Sequence, residues 1–229
     1  MDPTTADSSA NLKERVKASY DAIASTYNEW TVPHSKERMA YLGKALGYLS
    51  LPAQPTFLEL GCGCGLPVTK ALLAHAGGKA KVIANDLSST QLSFARANLL
   101  SGPDDEAARR LELVEGDMNA LAFEAGSFDL VAAFYSIIHL PRDEQEALLE
   151  RVARWLKPGG YLVANFGVEE AESTIAEKWL DDRGWMFWSG WGQEKTLEKM
   201  KKAGLEVLVA DVAKDVLDAQ SFLWVVAKR

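Results

Sequence analysis

The sequence predicts an α/β domain on a mostly parallel sheet whose last strand runs antiparallel. Three observations carry this. From Thr56 onward, short apolar runs alternate with amphipathic stretches, the order that strand–helix–strand units produce. Glycines and prolines punctuate the runs, at Pro55, Gly61, Gly63, Gly65, Gly77, Gly78, Pro158, Gly159 and Gly160. The final two runs, 205–210 and 221–227, are separated by about ten residues, too few for a crossover helix.

The elements follow in order. Residues 1–10 are small, polar and aperiodic, and read as a disordered tail. Leu12, Val16, Tyr20, Ile23, Ala24 and Tyr27 fall at helical spacings, which predicts a helix from 11 to about 30. Pro33 interrupts, and a second helix follows over 36–49. Residues 11–55 thus form an N-terminal helical cap, and 56–229 the main domain. Strands are predicted at 56–60, 81–85, 111–115, 128–134 and 161–166, with helices at 68–75, 88–100 and 143–155. Ser88 or Ser89 is placed to cap the second of these helices, and the acidic first turn of the third suits the helix dipole. Residues 169–180 read as an acidic helix. A Trp-rich connector follows, with Trp185, Phe187, Trp188 and Trp191 among Gly184, Gly190 and Gly192. A helix over 194–203 stops at Gly204, and the two closing strands bring the count to seven.

Composition narrows the class. The 229 residues are 48% hydrophobic and 25% charged, which excludes a disordered chain, a collagen or a simple helical rod. Lys+Arg is 25 against Asp+Glu 32, a net charge of −7, so the basic footprint of a general nucleic-acid binder is missing. Cys62 and Cys64 are the only cysteines, so a disulfide framework is excluded and a reducing compartment expected. No apolar run approaches the roughly 20 residues that span a bilayer, and the N-terminus shows no secretory core. The expectation is a cytoplasmic monomer or homodimer that uses neither membrane nor nucleic acid. The three histidines, His34, His75 and His139, are scattered, so no metal is expected from them or from the cysteine pair. Asp181-Asp182 reads as a solvated turn.

Residues 59–65, Glu-Leu-Gly-Cys-Gly-Cys-Gly, follow the first strand and lead into a helix. Glycines there let the backbone turn tightly and approach a ligand, beside the free N–H groups of a helix start. The third glycine comes two residues after the second, one short of the dinucleotide fingerprint, and this disfavours a nicotinamide reductase. Asp86, at the end of the second strand, is placed to accept from both hydroxyls of a ribose. Asp117, after the third, can accept from an adenine amino group, with Leu87 and Met118 sandwiching the base. Together these describe an adenosine site without phosphate binding.

At this point the chain resembles the class I S-adenosylmethionine-dependent methyltransferases, and most of all their small-molecule group. The resemblance runs from about Tyr20 to the C-terminus. It rests on Tyr20, Asp21 and Tyr27, the 59–65 loop, Asp86, Gly116-Asp117-Met118, Phe128-Asp129-Leu130 and Leu156-Lys157-Pro158-Gly159-Gly160. It implies a Rossmann-like three-layer αβα sandwich around a seven-stranded sheet, with a substrate-cover insertion around 169–192. It also implies S-adenosylmethionine as cofactor and S-adenosylhomocysteine as product. Gly61, Cys62 and Gly63 would lie along the methionine part, with Glu59 positioning the loop or meeting the cofactor's amino group through water. Asp86 would hold the ribose with Gln91 nearby, and Asp117 the adenine amine. Phe134 and Tyr135 would flank the sulfonium, while Tyr20 and Tyr27 close over the methionine end. The cysteines depart from the family's more common small or acidic residues between the glycines, but they are small enough for the loop.

Candidate acceptor-site residues follow. His139, just beyond the fourth strand, could take a proton from the nucleophile, or could be structural. His34 could enter the pocket from the cap. Tyr135, Trp185, Trp188 and Trp191 could stack on a flat or apolar acceptor, or be core; Trp30 could close the other wall, whereas Trp179 and Trp155 read as helix packing. The expected reaction is methyl transfer to an oxygen, nitrogen or sulfur atom of a small, partly apolar metabolite, by analogy one of secondary metabolism. The alternatives are a protein or nucleic-acid methyltransferase and a cofactor-binding homologue that does not methylate. Ala133-Phe134-Tyr135-Ser136 lacks the Asn/Asp-Pro-Pro-aromatic motif of DNA amino methyltransferases.

Overall fold

Two helices precede the sheet. In the computed structural model, which describes residues 9–50, 52–100, 106–214 and 220–229, these are α1 (Ser9–Thr31) and α2 (Lys36–Tyr48). The expected tail to residue 10 is corrected at its end: Ser9 and Ala10 open α1, and the Ser9 hydroxyl donates to the Glu144 carboxylate. Residues 1–8 lie outside the described residues.

The alternation then unfolds as β1 (Thr56–Leu60), α3 (Val68–Gly78), β2 (Lys81–Asp86), α4 (Ser89–Leu99), β3 (Leu111–Glu115), β4 (Phe128–Ala133), α5 (Arg142–Trp155) and β5 (Leu156–Gly167). A hairpin of β6 (Glu170–Glu177) and β7 (Trp185–Trp191) follows, then α6 (Gly192–Lys202), β8 (Glu206–Lys214) and β9 (Ser221–Lys228). The main sheet has seven strands in the order β3-β2-β1-β4-β5-β9-β8. The pairings among β1 to β5 are parallel, and β9 runs antiparallel to both β5 and β8.

Alternation along the strands divides the core in two. Phe57, Val82, Leu130 and Trp224 face α2, α3 and α4, while Leu58, Val131, Leu162 and Val225 face α5 and α6. Both faces are covered, as a parallel sheet requires. The third cluster joins α1 to the hairpin, where Leu12 and Val16 pack against Trp185, Met186 and Phe187.

The helix expected over 169–180 is instead strand β6, paired antiparallel with β7. Its side chains are mostly exposed, so no helical face could be buried there, and Thr174 and Ile175 favour extended backbone. The Trp-rich connector is the partner strand. Such a pairing partner is invisible to local periodicity. The strands β5 and β8 also extend beyond the predicted 161–166 and 205–210. No described helix is long and apolar enough to cross a membrane.

Candidate active site

The site begins where β1 ends. Gly61 turns the chain at φ 75°, and its N–H and that of Cys62 both donate to the Asn85 carbonyl at 2.8 and 2.9 Å. The loop is thereby stitched to the end of β2. A Cβ on Gly61 would lie 2.4 Å from the Ser136 Cβ, so only glycine fits against the turn after β4. Asp86 completes the stitch, accepting from the Gly63 N–H at 2.7 Å and from the Ser88 N–H at 2.8 Å. Asn85 donates through its side chain to the carbonyls of Val114 and Gly116, fixing the turn that carries Asp117. Ser88 is the helix cap, its hydroxyl accepting from the Gln91 N–H and donating to Asp21 of α1.

One cavity collects Tyr20, Tyr27, Gly61, Gly63, Asp86, Leu87, Gln91, Asp117, Met118, Phe134, Tyr135 and His139, all anticipated from the sequence. Loss of water contact pushes the Asp86 carboxyl up to about 6, against the pull of its N–H donors. Asp117 accepts from the Asn119 N–H and from Lys13, which also meets Glu144 at 2.5 Å. Helix α1 therefore lies over the Asp117 end of the cavity. Gln91 is 1% exposed, and neither atom of its amide has a partner among the described residues.

Two expected cofactor residues do not reach this cavity. Cys62 turns its side chain into the core at 6% exposure, and burial pushes its thiol up, leaving it unreactive. Glu59 is buried beneath the loop, accepts from the Thr69 hydroxyl at 2.5 Å, and so ties β1 to α3. Burial raises Glu59 to about 8, so it is mostly protonated at neutral pH. The folded state keeps a proton that the unfolded chain releases between the usual carboxyl range and pH 8. Stability therefore falls as pH rises through that window. Glu59→Gln removes this dependence: in cofactor-free thermal unfolding, wild-type Tm drops relative to the variant between pH 5 and 8.5. A constant Tm difference would show that Glu59 does not titrate there.

A second cavity of about 770 Å³ opens beyond the first and shares Tyr20, Tyr27, Tyr135 and His139 with it. At this junction the Tyr20 hydroxyl lies 3.0 Å from His139 Nε2, while His139 Nδ1 lies 2.8 Å from the Phe187 carbonyl. The imidazole therefore donates to the carbonyl and accepts from the tyrosine. Desolvation lowers it to about 4, so the ring is neutral at pH 7. Trp30 and Trp188 line the second cavity, as does Trp179, for which helix packing was expected.

Three acceptor-site expectations are corrected. His34 is exposed in the connector after α1 and bonds the Trp30 carbonyl through Nδ1 at 2.9 Å. Trp185 packs on α1 with the Arg15 guanidinium 3.8 Å from its ring centre. Trp191 is covered by Lys199 at 3.7 Å and Arg142 at 4.6 Å, and its Nε1 donates to the Arg142 carbonyl. The cause is the strand: with a period of two, Trp185 and Trp191 share one face of β7 and Trp188 takes the other. His75 rests partly buried near Phe57.

Lys13, in the lining of the first cavity, and the buried Arg38 were not among the residues expected from local patterns. Arg38 is 8% exposed and, among the described residues, bonds the Thr31 carbonyl and the Thr31 and Ser35 hydroxyls and leaves Nε unpartnered. Its place in step with the buried Tyr41, Leu42 and Ala45 was the available signal. Among the described residues, no three His, Cys, Asp or Glu side chains are grouped to hold a metal ion.

Residues 57–160 match the model of a family described as a methyltransferase domain. The demethylmenaquinone methyltransferase of Lactococcus lactis is 32% identical over 164 residues, covering 71% of this chain and 61% of that protein. The chain thus spans about three-fifths of that relative. The 1,6-didemethyltoxoflavin-N1-methyltransferase of Burkholderia thailandensis superposes with a TM-score of 0.68 at 15% identity, over 100% of this chain and 92% of that one. A [4+2]-cyclase superposes with a TM-score of 0.69 at 16% identity, over 96% of each chain. The matched segment contains the glycine loop, Asp86 and Asp117, and the sheet order places them at one end of the central strands; over residues 57–160 the chain is similar to that methyltransferase-domain family.

Proposed function

We propose that the protein transfers a methyl group from S-adenosylmethionine to an oxygen, nitrogen or sulfur atom of a small, partly apolar molecule. The observation that carries this reading is the junction of the two cavities at Tyr20, Tyr27, Tyr135 and His139. The first cavity has the donors and acceptors for an adenosyl group, and the second, of about 770 Å³, has room for a small molecule. When bound, S-adenosylmethionine supplies a methyl group activated by a sulfonium centre.

The protein's part is to hold and to exclude. Asp86 accepts from the ribose hydroxyls, and Gln91 satisfies its unpartnered amide on the same group. Asp117 accepts from the adenine amine, exchanging its contact with Lys13. Leu87 and Met118 hold the base. Tyr20 and Tyr27, carried by α1, keep water from the junction. Alignment of this kind supplies several kcal/mol of a transfer barrier, so no strong base is required. His139 fits that economy. With a pKa near 4 and both nitrogens engaged, it holds Tyr20 at the junction rather than taking a proton at pH 7.

The test is incubation with methyl-labelled cofactor and a panel of small acceptors, protein and nucleic acid. Label on a small molecule, with one S-adenosylhomocysteine formed per label, is the expected result. Label on protein or nucleic acid would replace the acceptor class. Binding without label transfer anywhere would place the chain among cofactor-binding proteins that do not methylate.

A further inference from the structure

The lining of the second cavity has a charge pattern that narrows the acceptor. Among its described residues there is no lysine or arginine, and its histidine is the neutral His139. The carboxylate it contains, Glu169, is exposed and has no ion-pair partner among the described residues. Arg38 lies outside the lining, 5.7 Å from the Tyr135 ring centre and bonded to Thr31 and Ser35, so the lining itself gives an anionic acceptor no counter-charge.

The aromatic rings point the same way. Trp179 packs with Trp30, Tyr27, Tyr20 and Trp188, with ring centres 5.6 to 6.1 Å apart, and forms one continuous wall. Elsewhere the protein covers its indole faces with its own cations: Arg15 on Trp185, and Lys199 and Arg142 on Trp191. No lysine or arginine lies over the rings of Trp30, Trp179 or Trp188 among the described residues. These electron-rich rings line the cavity without a cation of the protein's own among the described residues.

We infer that the acceptor is an amine, and that the aromatic wall and Glu169 stabilise the positive charge it acquires. This deepens the methyl-transfer reading and rests on it. A neutral amine attacks with its lone pair. The N–C bond forms as the C–S bond breaks, and that bonding pair returns to sulfur to leave a thioether. The unit positive charge passes from sulfur to nitrogen, and the methylated ammonium later sheds a proton to water where one is present. An aromatic face beside the nitrogen gains attraction as this charge arrives, so it favours the transition state over the neutral ground state. With an anionic oxygen nucleophile the charges cancel, and the wall would have nothing to stabilise.

The experiment uses product-like probes. Tryptophan fluorescence follows binding of benzyltrimethylammonium, its neutral isostere neopentylbenzene and the anion benzenesulfonate, with and without S-adenosylhomocysteine. The inference expects the cation to bind at least tenfold tighter than either other probe. Trp188→Leu and Glu169→Gln should each lose several-fold of that preference while S-adenosylhomocysteine affinity, the control for folding, stays unchanged. Equal or tighter binding of the neutral or anionic probe would overturn the amine assignment. Failure of S-adenosylhomocysteine to bind would instead overturn the cofactor reading, and the probe series without it would still report on the cavity.

Discussion

Asp86→Ala weakens S-adenosylhomocysteine binding roughly 10- to 100-fold, the effect of losing charge-assisted hydrogen bonds. The loss has two sources. The carboxylate is placed to accept from the ribose, and it also holds the Gly63 and Ser88 N–H groups that shape the loop. Asp86→Asn should recover little, because an amide can accept through only one of its two atoms and would oppose an N–H with its own. The pH profile separates this account from general damage. With Asp86 raised to about 6, the wild-type site is increasingly protonated below that pH, and its affinity should fall by up to about tenfold per pH unit. The alanine variant should lack that part of the fall. An unchanged dissociation constant in Asp86→Ala would remove the residue from the site.

Gly61→Ala combines two costs. The backbone sits at φ 75°, which costs a side chain about 1–2 kcal/mol, and the added Cβ overlaps Ser136, a packing strain of roughly 1–3 kcal/mol. Gly159→Ala is the control: its φ is 81°, but nothing lies within 4 Å of the new Cβ. At roughly 2–4 °C of Tm per kcal/mol for a domain of this size, Gly61→Ala should lose about twice as much Tm as Gly159→Ala. It should also abolish S-adenosylhomocysteine binding, which Gly159→Ala should leave intact. Equal losses would mean that the loop yields around Ser136.

The cofactor end was legible because each part has a local signature. A strand, a glycine turn and a carboxylate at the next strand's end can each be read from a few neighbouring residues, and Gly61, Asp86 and Asp117 converge as expected. The acceptor end was less legible because it is made by pairing across the chain. Glu170–Glu177 becomes a strand only against Trp185–Trp191, and that pairing decides which indole sees the cavity. Trp188 faces it, while Trp185 and Trp191 serve α1, α5 and α6. Trp179 gains its role from the hairpin turn, where the Gly184 carbonyl accepts from its N–H. Lys13 reaches Asp117 across 104 positions, a contact no local pattern announces.

The central claim is that the cavity around Gly61, Asp86 and Asp117 takes an adenosyl cofactor without a pyrophosphate. Calorimetric titration of the folded protein with S-adenosylmethionine, S-adenosylhomocysteine and NADH addresses it most directly. Saturable binding of the two adenosyl compounds at one site per chain, with no heat from NADH, is the predicted result. A folded sample that binds neither adenosyl compound, or that prefers NADH, would contradict the account and require another ligand for the glycine loop.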